Sequence, residues 1–132
     1  MRRVRGFTLV ELLVVLAILG LVVALVGPLT ADRLDKARAQ EEWLVLERTV
    51  SGLAFRAFAE GRPVDLQAEG GRLTWRVEGA DERALPLKHL FFDSAQTVQI
   101  NANGIASPAQ LTVLRDGRER RLELNRWLDD RP

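Results

Sequence analysis

Few side chains in this 132-residue sequence are of types that do chemistry, and their spacing narrows them further. His89 is the single histidine, with Asp93 and Ser94 a few positions on. A serine, a histidine and an acid can make a hydrolase triad. No Gly-x-Ser-x-Gly turn surrounds Ser94 or Ser107, however, to lift a nucleophile clear of its strand. A lone histidine beside Leu90, Phe91 and Phe92 reads as a structural residue. Cysteine is absent, which excludes thiol nucleophiles, thiolate zinc sites and disulfides. Asp129 and Asp130 could offer oxygens to calcium. Neighbours on a strand point to opposite faces, so a site there would need ligands from other loops. Neither zinc-ligand spacing nor a phosphate or dinucleotide glycine pattern occurs. The sequence therefore predicts no enzyme, no cofactor, no metal and no small-molecule substrate.

Arginine outnumbers lysine by 17 to two, yet the net charge is only +1, so the bias reads as genome base composition and not as a polybasic surface. The densest cations are Arg115, Arg118, Arg120 and Arg121, interrupted by Asp116 and Glu119. Such a cluster could meet nucleic-acid phosphates, in which case binding would weaken steeply with salt. A solvated, salt-bridged hairpin is the simpler reading, and nucleic acid is not the expected partner.

Glu11 is the outlier. Residues 12–26 are all apolar or glycine, and Phe7, Leu9 and Val10 lie just before the acid. The 23 residues 7–29 make a helix about 34 Å long at about 1.5 Å per residue, against a bilayer core of about 30 Å. Arg2, Arg3 and Arg5 precede this span and no basic residue lies within it, which predicts a cytoplasmic N-terminus. A secretory signal would end in small residues, but Leu29-Thr30-Ala31 places Leu where a small one is wanted. A plain anchor leaves Glu11 unexplained. An acid inside the bilayer costs about 2.5–3.5 kcal/mol at a helix centre, less nearer an end, and marks a function with a partner.

The run Gly6-Phe7-Thr8-Leu9-Val10-Glu11-Leu12-Leu13-Val14-Val15-Leu16-Ala17-Ile18-Leu19-Gly20 resembles the class III signal of type IV pilins and type II secretion pseudopilins. The resemblance covers about the first 30 residues. It implies a leader at residues 1–6, cut after Gly6 by a prepilin peptidase, and N-methylation of the new first residue, Phe7. It implies that Glu11, fifth in the mature chain, pairs with the terminal amine of a neighbouring subunit. It also implies that Gly20 and Pro28 mark a stretch of helix able to unwind on assembly. On physical grounds alone, either residue could simply bend a membrane helix. The implied partners are other pseudopilins or pilins, the peptidase and an inner-membrane assembly platform. The implied location is the bacterial inner membrane, single-pass, with a periplasmic head.

The elements beyond the span follow from periodicity. Residues 32–59 read as a continuing helix, with Trp43, Leu46, Val50, Leu53, Ala54 and Ala57 at three- and four-residue steps. Asp32–Lys36 and Asp35–Arg38 can pair along its exposed upper part. Gly61 and Pro63 end it. The rest reads as β-rich, with strand signals at 73–77, 89–92, 97–100, 111–114 and 121–124. Asp116-Gly117 marks a hairpin turn, and Asn101, Asn103 and Gly104 mark another turn. Trp75, Val77, Val98, Ile100, Val113 and Leu122 are the expected core. Some seventy residues make a small core alone, so the head should lean on the helix.

The expectation is thus an α+β chain: leader 1–6, transmembrane and assembly helix 7–29, amphipathic stalk 30–60 and antiparallel β-rich head 61–132. The head segment 98–104 with the following hairpin resembles the minor pseudopilin H and FimT group. Tyrosine is absent, as is the Trp-Gly-x-Pro-Tyr segment of major pseudopilins, and Glu11 is present, unlike the tip-like pseudopilin K. The implied function is a minor pseudopilin driving protein export. A minor type IV pilin for pilus assembly or DNA uptake shares the same N-terminus. A membrane-tethered binding or catalytic head is the rival from another class.

Overall fold

A computed structural model describes residues 5–126. The chain divides into two units, Met1–Asp35 and Lys36–Pro132. One helix, α1 (Leu9–Glu60, 52 residues), begins in the first and ends in the second.

In the first unit α1 is exposed throughout, and over residues 12–29 it is apolar on every side. It is long and apolar enough to cross a membrane. In lipid a helix is the natural choice even for a run rich in valine, because it satisfies each backbone polar group within itself. The helix runs unbroken through Gly20 and Pro28. Pro28 lacks an N–H, and close by the Thr30 hydroxyl donates to the carbonyls of Gly27 (2.8 Å) and Val26 (3.2 Å). Such local bonding lets membrane helices tolerate proline.

In the second unit α1 buries one stripe: Ala39, Leu46, Val50, Leu53, Ala54 and Ala57, with Trp43 half-buried beside them. The expected face is present, with Ala39 added. Its ion pairs are Arg56–Glu60 at 2.9 Å along the helix and Glu47–Arg126 at 3.8 Å, while the anticipated Asp32–Lys36 and Asp35–Arg38 pairs are not formed among the described residues. Gly61 stops the helix in the left-handed region (φ 63°), and the Arg62 N–H turns back to the Ala57 carbonyl at 3.1 Å.

Seven antiparallel strands follow: β1 (Val64–Gly70), β2 (Arg72–Val77), β3 (Arg83–Pro86), β4 (Leu90–Ile100), β5 (Ala106–Ser107), β6 (Gln110–Arg115) and β7 (Arg118–Glu123). Their order is β3-β2-β1-β4-β6-β7, with β5 on β4. This is the α+β, pilin-like architecture: a long N-terminal helix packed on a small open sheet. Val64, Leu66 and Ala68 of β1 alternate inward and join Leu73, Val77, Leu90, Phe92, Val98, Ile100, Val113 and Leu122 against the helix stripe. Of the expected core only Trp75 is not fully buried; it packs at the margin.

The expected strands need two corrections. β1, β3 and the two-residue β5 are not among the expected strands, and the pieces at 89–92 and 97–100 belong to one eleven-residue strand, β4. β4 is shared. Leu90 and Phe91 pair with β6, and Gln99 and Ile100 pair with β5. In the gap between, the Gln96 side chain imitates a peptide group: its Nε2 donates to the Thr112 carbonyl and its Oε1 accepts the Thr112 N–H, both at 2.8 Å. Asn125 does the same for Ala106, at 2.8 and 3.0 Å. Glu42 of α1 accepts three successive backbone N–H groups, those of Lys88 (2.8 Å), His89 (2.8 Å) and Leu90 (3.1 Å). That clamp ties the helix to the start of β4.

Candidate functional site

The candidate site is the approach to α1. Residues 5–8 carry no regular structure, so Gly6 and Phe7 precede the helix as uncoiled, exposed chain. Phe7 is 93% exposed. A Cβ built on Gly6 meets nothing within 4 Å. Packing within this chain therefore does not require glycine there; any such requirement must come from a molecule that closes on the segment. Arg5, Gly6, Phe7, Thr8 and Glu11 line one open recess.

Thr8 and Glu11 hold the helix start by a reciprocal pair of bonds. The Glu11 N–H donates to Thr8 Oγ1 at 3.2 Å, and the Thr8 N–H donates to Glu11 Oε2 at 3.0 Å. The Leu12 N–H donates to the Thr8 carbonyl at 3.2 Å, which makes Thr8 the cap residue and begins the helix ladder. This is a capping box, in which each residue's side-chain oxygen accepts the other's N–H, a donor with no helical partner. Glu11 also sets a negative charge at the positive end of the helix dipole. Its Oε1 carries no hydrogen bond among the described residues. Thr8 is the participant that sequence reasoning missed, although the Thr-x-x-Glu spacing before an apolar run was its signal.

Gly20 and Pro28 lie further along the exposed apolar helix, and a Cβ at Gly20 would also meet open space. A helix apolar all round and covered by nothing in its own unit calls for lipid or other helices as its surroundings.

The structure does not assemble the other candidates. His89 is half-buried, its backbone N–H is taken by Glu42, and no hydrogen bond joins its ring to Asp93 or Ser94. Among the described residues no group of three or more histidine, aspartate or glutamate side chains could hold a metal. Asp129 and Asp130 lie outside the described residues.

Residues 1–27 match the family model described as the prokaryotic N-terminal methylation motif. No curated protein and no solved structure matches the chain. The motif supports a type IV pilin-like, class III signal, with processing by a prepilin peptidase and assembly with other pilins. It suggests a structural subunit anchored in a membrane, in keeping with the apolar helix.

Proposed function

We propose that this chain is a minor pseudopilin of a type II secretion machine, cut between Gly6 and Phe7, N-methylated on Phe7 and assembled into a periplasmic filament through residues 7–29. One observation carries the reading. An uncoiled, exposed Gly6-Phe7 bond leads into a capped helix whose apolar run holds a single charge, Glu11. Hydrolysis of that bond frees a cationic amine on Phe7, and methylation keeps its charge. Once lipid or neighbouring helices cover the span, Glu11 needs a cation, and the amine of the next subunit supplies one. Removing one member of a buried pair costs about 3–5 kcal/mol, enough to select one axial register between subunits. Loss of Arg2, Arg3 and Arg5 with the leader takes the net charge from +1 to −2.

The N-in orientation follows from those same arginines. The head segment at 98–104, with its Asn101 turn and the β6–β7 hairpin beyond, supports the H and FimT-like group within the family.

Intact mass of the membrane-extracted protein, with N-terminal fragmentation, tests processing. A chain beginning at Phe7 with one added methyl is expected. A chain still beginning at Met1 in cells with active peptidase overturns the reading. Glu11→Val should be cleaved and inserted normally yet fail to enter filaments; normal incorporation would refute the charge pairing. Pull-down of partner subunits separates a secretion machine from a pilus or a DNA-uptake machine.

A further inference from the structure

The β6–β7 hairpin changes character along its length. On the face turned to the core, Leu111, Val113 and Leu122 are buried. The register pairs Val113 with Arg120 and Arg115 with Arg118, so these three arginines continue the same face toward the turn. Where the apolar rungs end, the core-side face becomes wholly cationic. Arg115, Arg118 and Arg120 line one groove of about 380 Å³ together with Asp116 and with Lys36 of α1.

The charges there are not balanced from within. Four cations face one acid. Asp116 approaches Arg115 Nε at 3.8 Å, while Lys36, Arg118 and Arg120 have no ion pair among the described residues. Arginine forks bind phosphate oxygens two at a time, and lysine adds a point charge. The groove therefore suits a compact phosphate-bearing anion.

Its place in the chain selects the source. Lys36 follows residue 29, the end of the apolar run, by seven positions. Seven residues cover about 10 Å as helix and at most about 25 Å fully extended. The headgroup layer begins where the hydrocarbon core ends. Cations tethered this close to a bilayer are attracted to its anionic lipids. A nucleic acid fits less well. It needs a row of cations along successive phosphates, but Arg121 pairs with Thr112 on the opposite face and the row ends after one groove.

We propose that the groove of Lys36, Arg115, Arg118 and Arg120 seats the anionic headgroup of a phospholipid from the bilayer that residues 7–29 span. The inference rests on that span and not on which filament the chain serves.

The chain lacks cysteine, so Glu119→Cys gives the full-length protein one labelling site on the hairpin. A fluorophore there is read for quenching by headgroup-nitroxide lipid in two vesicle types, pure phosphatidylcholine and a mixture with about 30% anionic phosphatidylglycerol. Resistance to alkaline wash from either vesicle reports the span by itself. Quenching should rise in the anionic vesicles, fall with added salt and resist millimolar inorganic phosphate. Arg118→Gln with Arg120→Gln should lower the docked-to-free ratio about 25-fold, near fivefold per cation, with the tryptophan-detected melt unchanged. Equal quenching in both vesicles, or no loss in the double variant, with the protein still resisting the wash, overturns the groove and leaves the span standing. Release from the wash overturns the span. Displacement by inorganic phosphate or by a single-stranded oligonucleotide, lost in the double variant, overturns the lipid in favour of that ligand.

Discussion

Glu42→Ala removes the acceptor for three consecutive backbone N–H groups where β4 begins. The bonds measure 2.8, 2.8 and 3.1 Å. A hydrogen bond to a charged group contributes about 1.5–3 kcal/mol, but the three do not add at full value. Lys88 is exposed and His89 half-buried, so water replaces the carboxylate at both. Leu90 is buried at 1% exposure, and its N–H would bear the desolvation cost, about 1–3 kcal/mol. A loss of about 2–3 kcal/mol is therefore expected. At about 4–8 °C per kcal/mol for a domain of this size, the melt should fall by about 8–24 °C. Trp43 and Trp75, both at the core margin, report it by fluorescence from the full chain in neutral detergent. Glu42→Gln keeps an acceptor oxygen and should lose about 1 kcal/mol. The donors are neutral backbone N–H groups and not countercharges, so added salt should change the difference little. A fall below about 3 °C for alanine, or equal falls for alanine and glutamine, would refute the reasoning.

Three further outcomes are expected. Gly71→Ala would set a Cβ 2.8 Å from the Leu87 carbonyl oxygen, which itself belongs to backbone, and should destabilise the head by about 2 kcal/mol in the same melt. Gln96→Leu leaves the Thr112 N–H and carbonyl without their side-chain partner and should cost about 1–3 kcal/mol, with hydrogen exchange at Thr112 accelerated. Gly6→Ala has open space around its new methyl, so the melt should not move while mass spectrometry finds the leader retained.

The helix stripe was legible because its three- and four-residue spacing is local and survives any context. The Asp116-Gly117 turn was legible for a like reason: both residues sit at positive φ, 53° and 71°, a conformation that few sequences adopt readily. β1 alternates perfectly, but Asp65, Gln67 and Ala68 are poor strand formers, and the pattern gains meaning only between β2 and β4. β3 ends in Pro86 and buries only part of Leu85, which an edge strand permits. The polar middle of β4 hid its continuity, since Asp93, Ser94 and Ala95 face solvent where β6 and β5 part. At the candidate site Gly6, Phe7 and Glu11 were legible by type and spacing. Thr8 reads as one more residue of the run, and its part shows only in the bonds that its hydroxyl and N–H make with Glu11. The Glu42 clamp joins residues 46 to 48 positions apart, a separation that no local pattern encodes.

The ends of the strand order carry a consequence for crowding. An unpaired strand edge is a template on which another chain can continue the sheet. Here the path ends at β3, four residues long and closed by Pro86, and at β7, where Arg118, Arg120 and Arg121 stand in one short strand. Proline offers no N–H to a newcomer, and a short edge dense in charged side chains is a poor template for a second strand. Heads held side by side at high local concentration would remain separate bodies. Copies could then be added to and withdrawn from a stack without their sheets fusing into one.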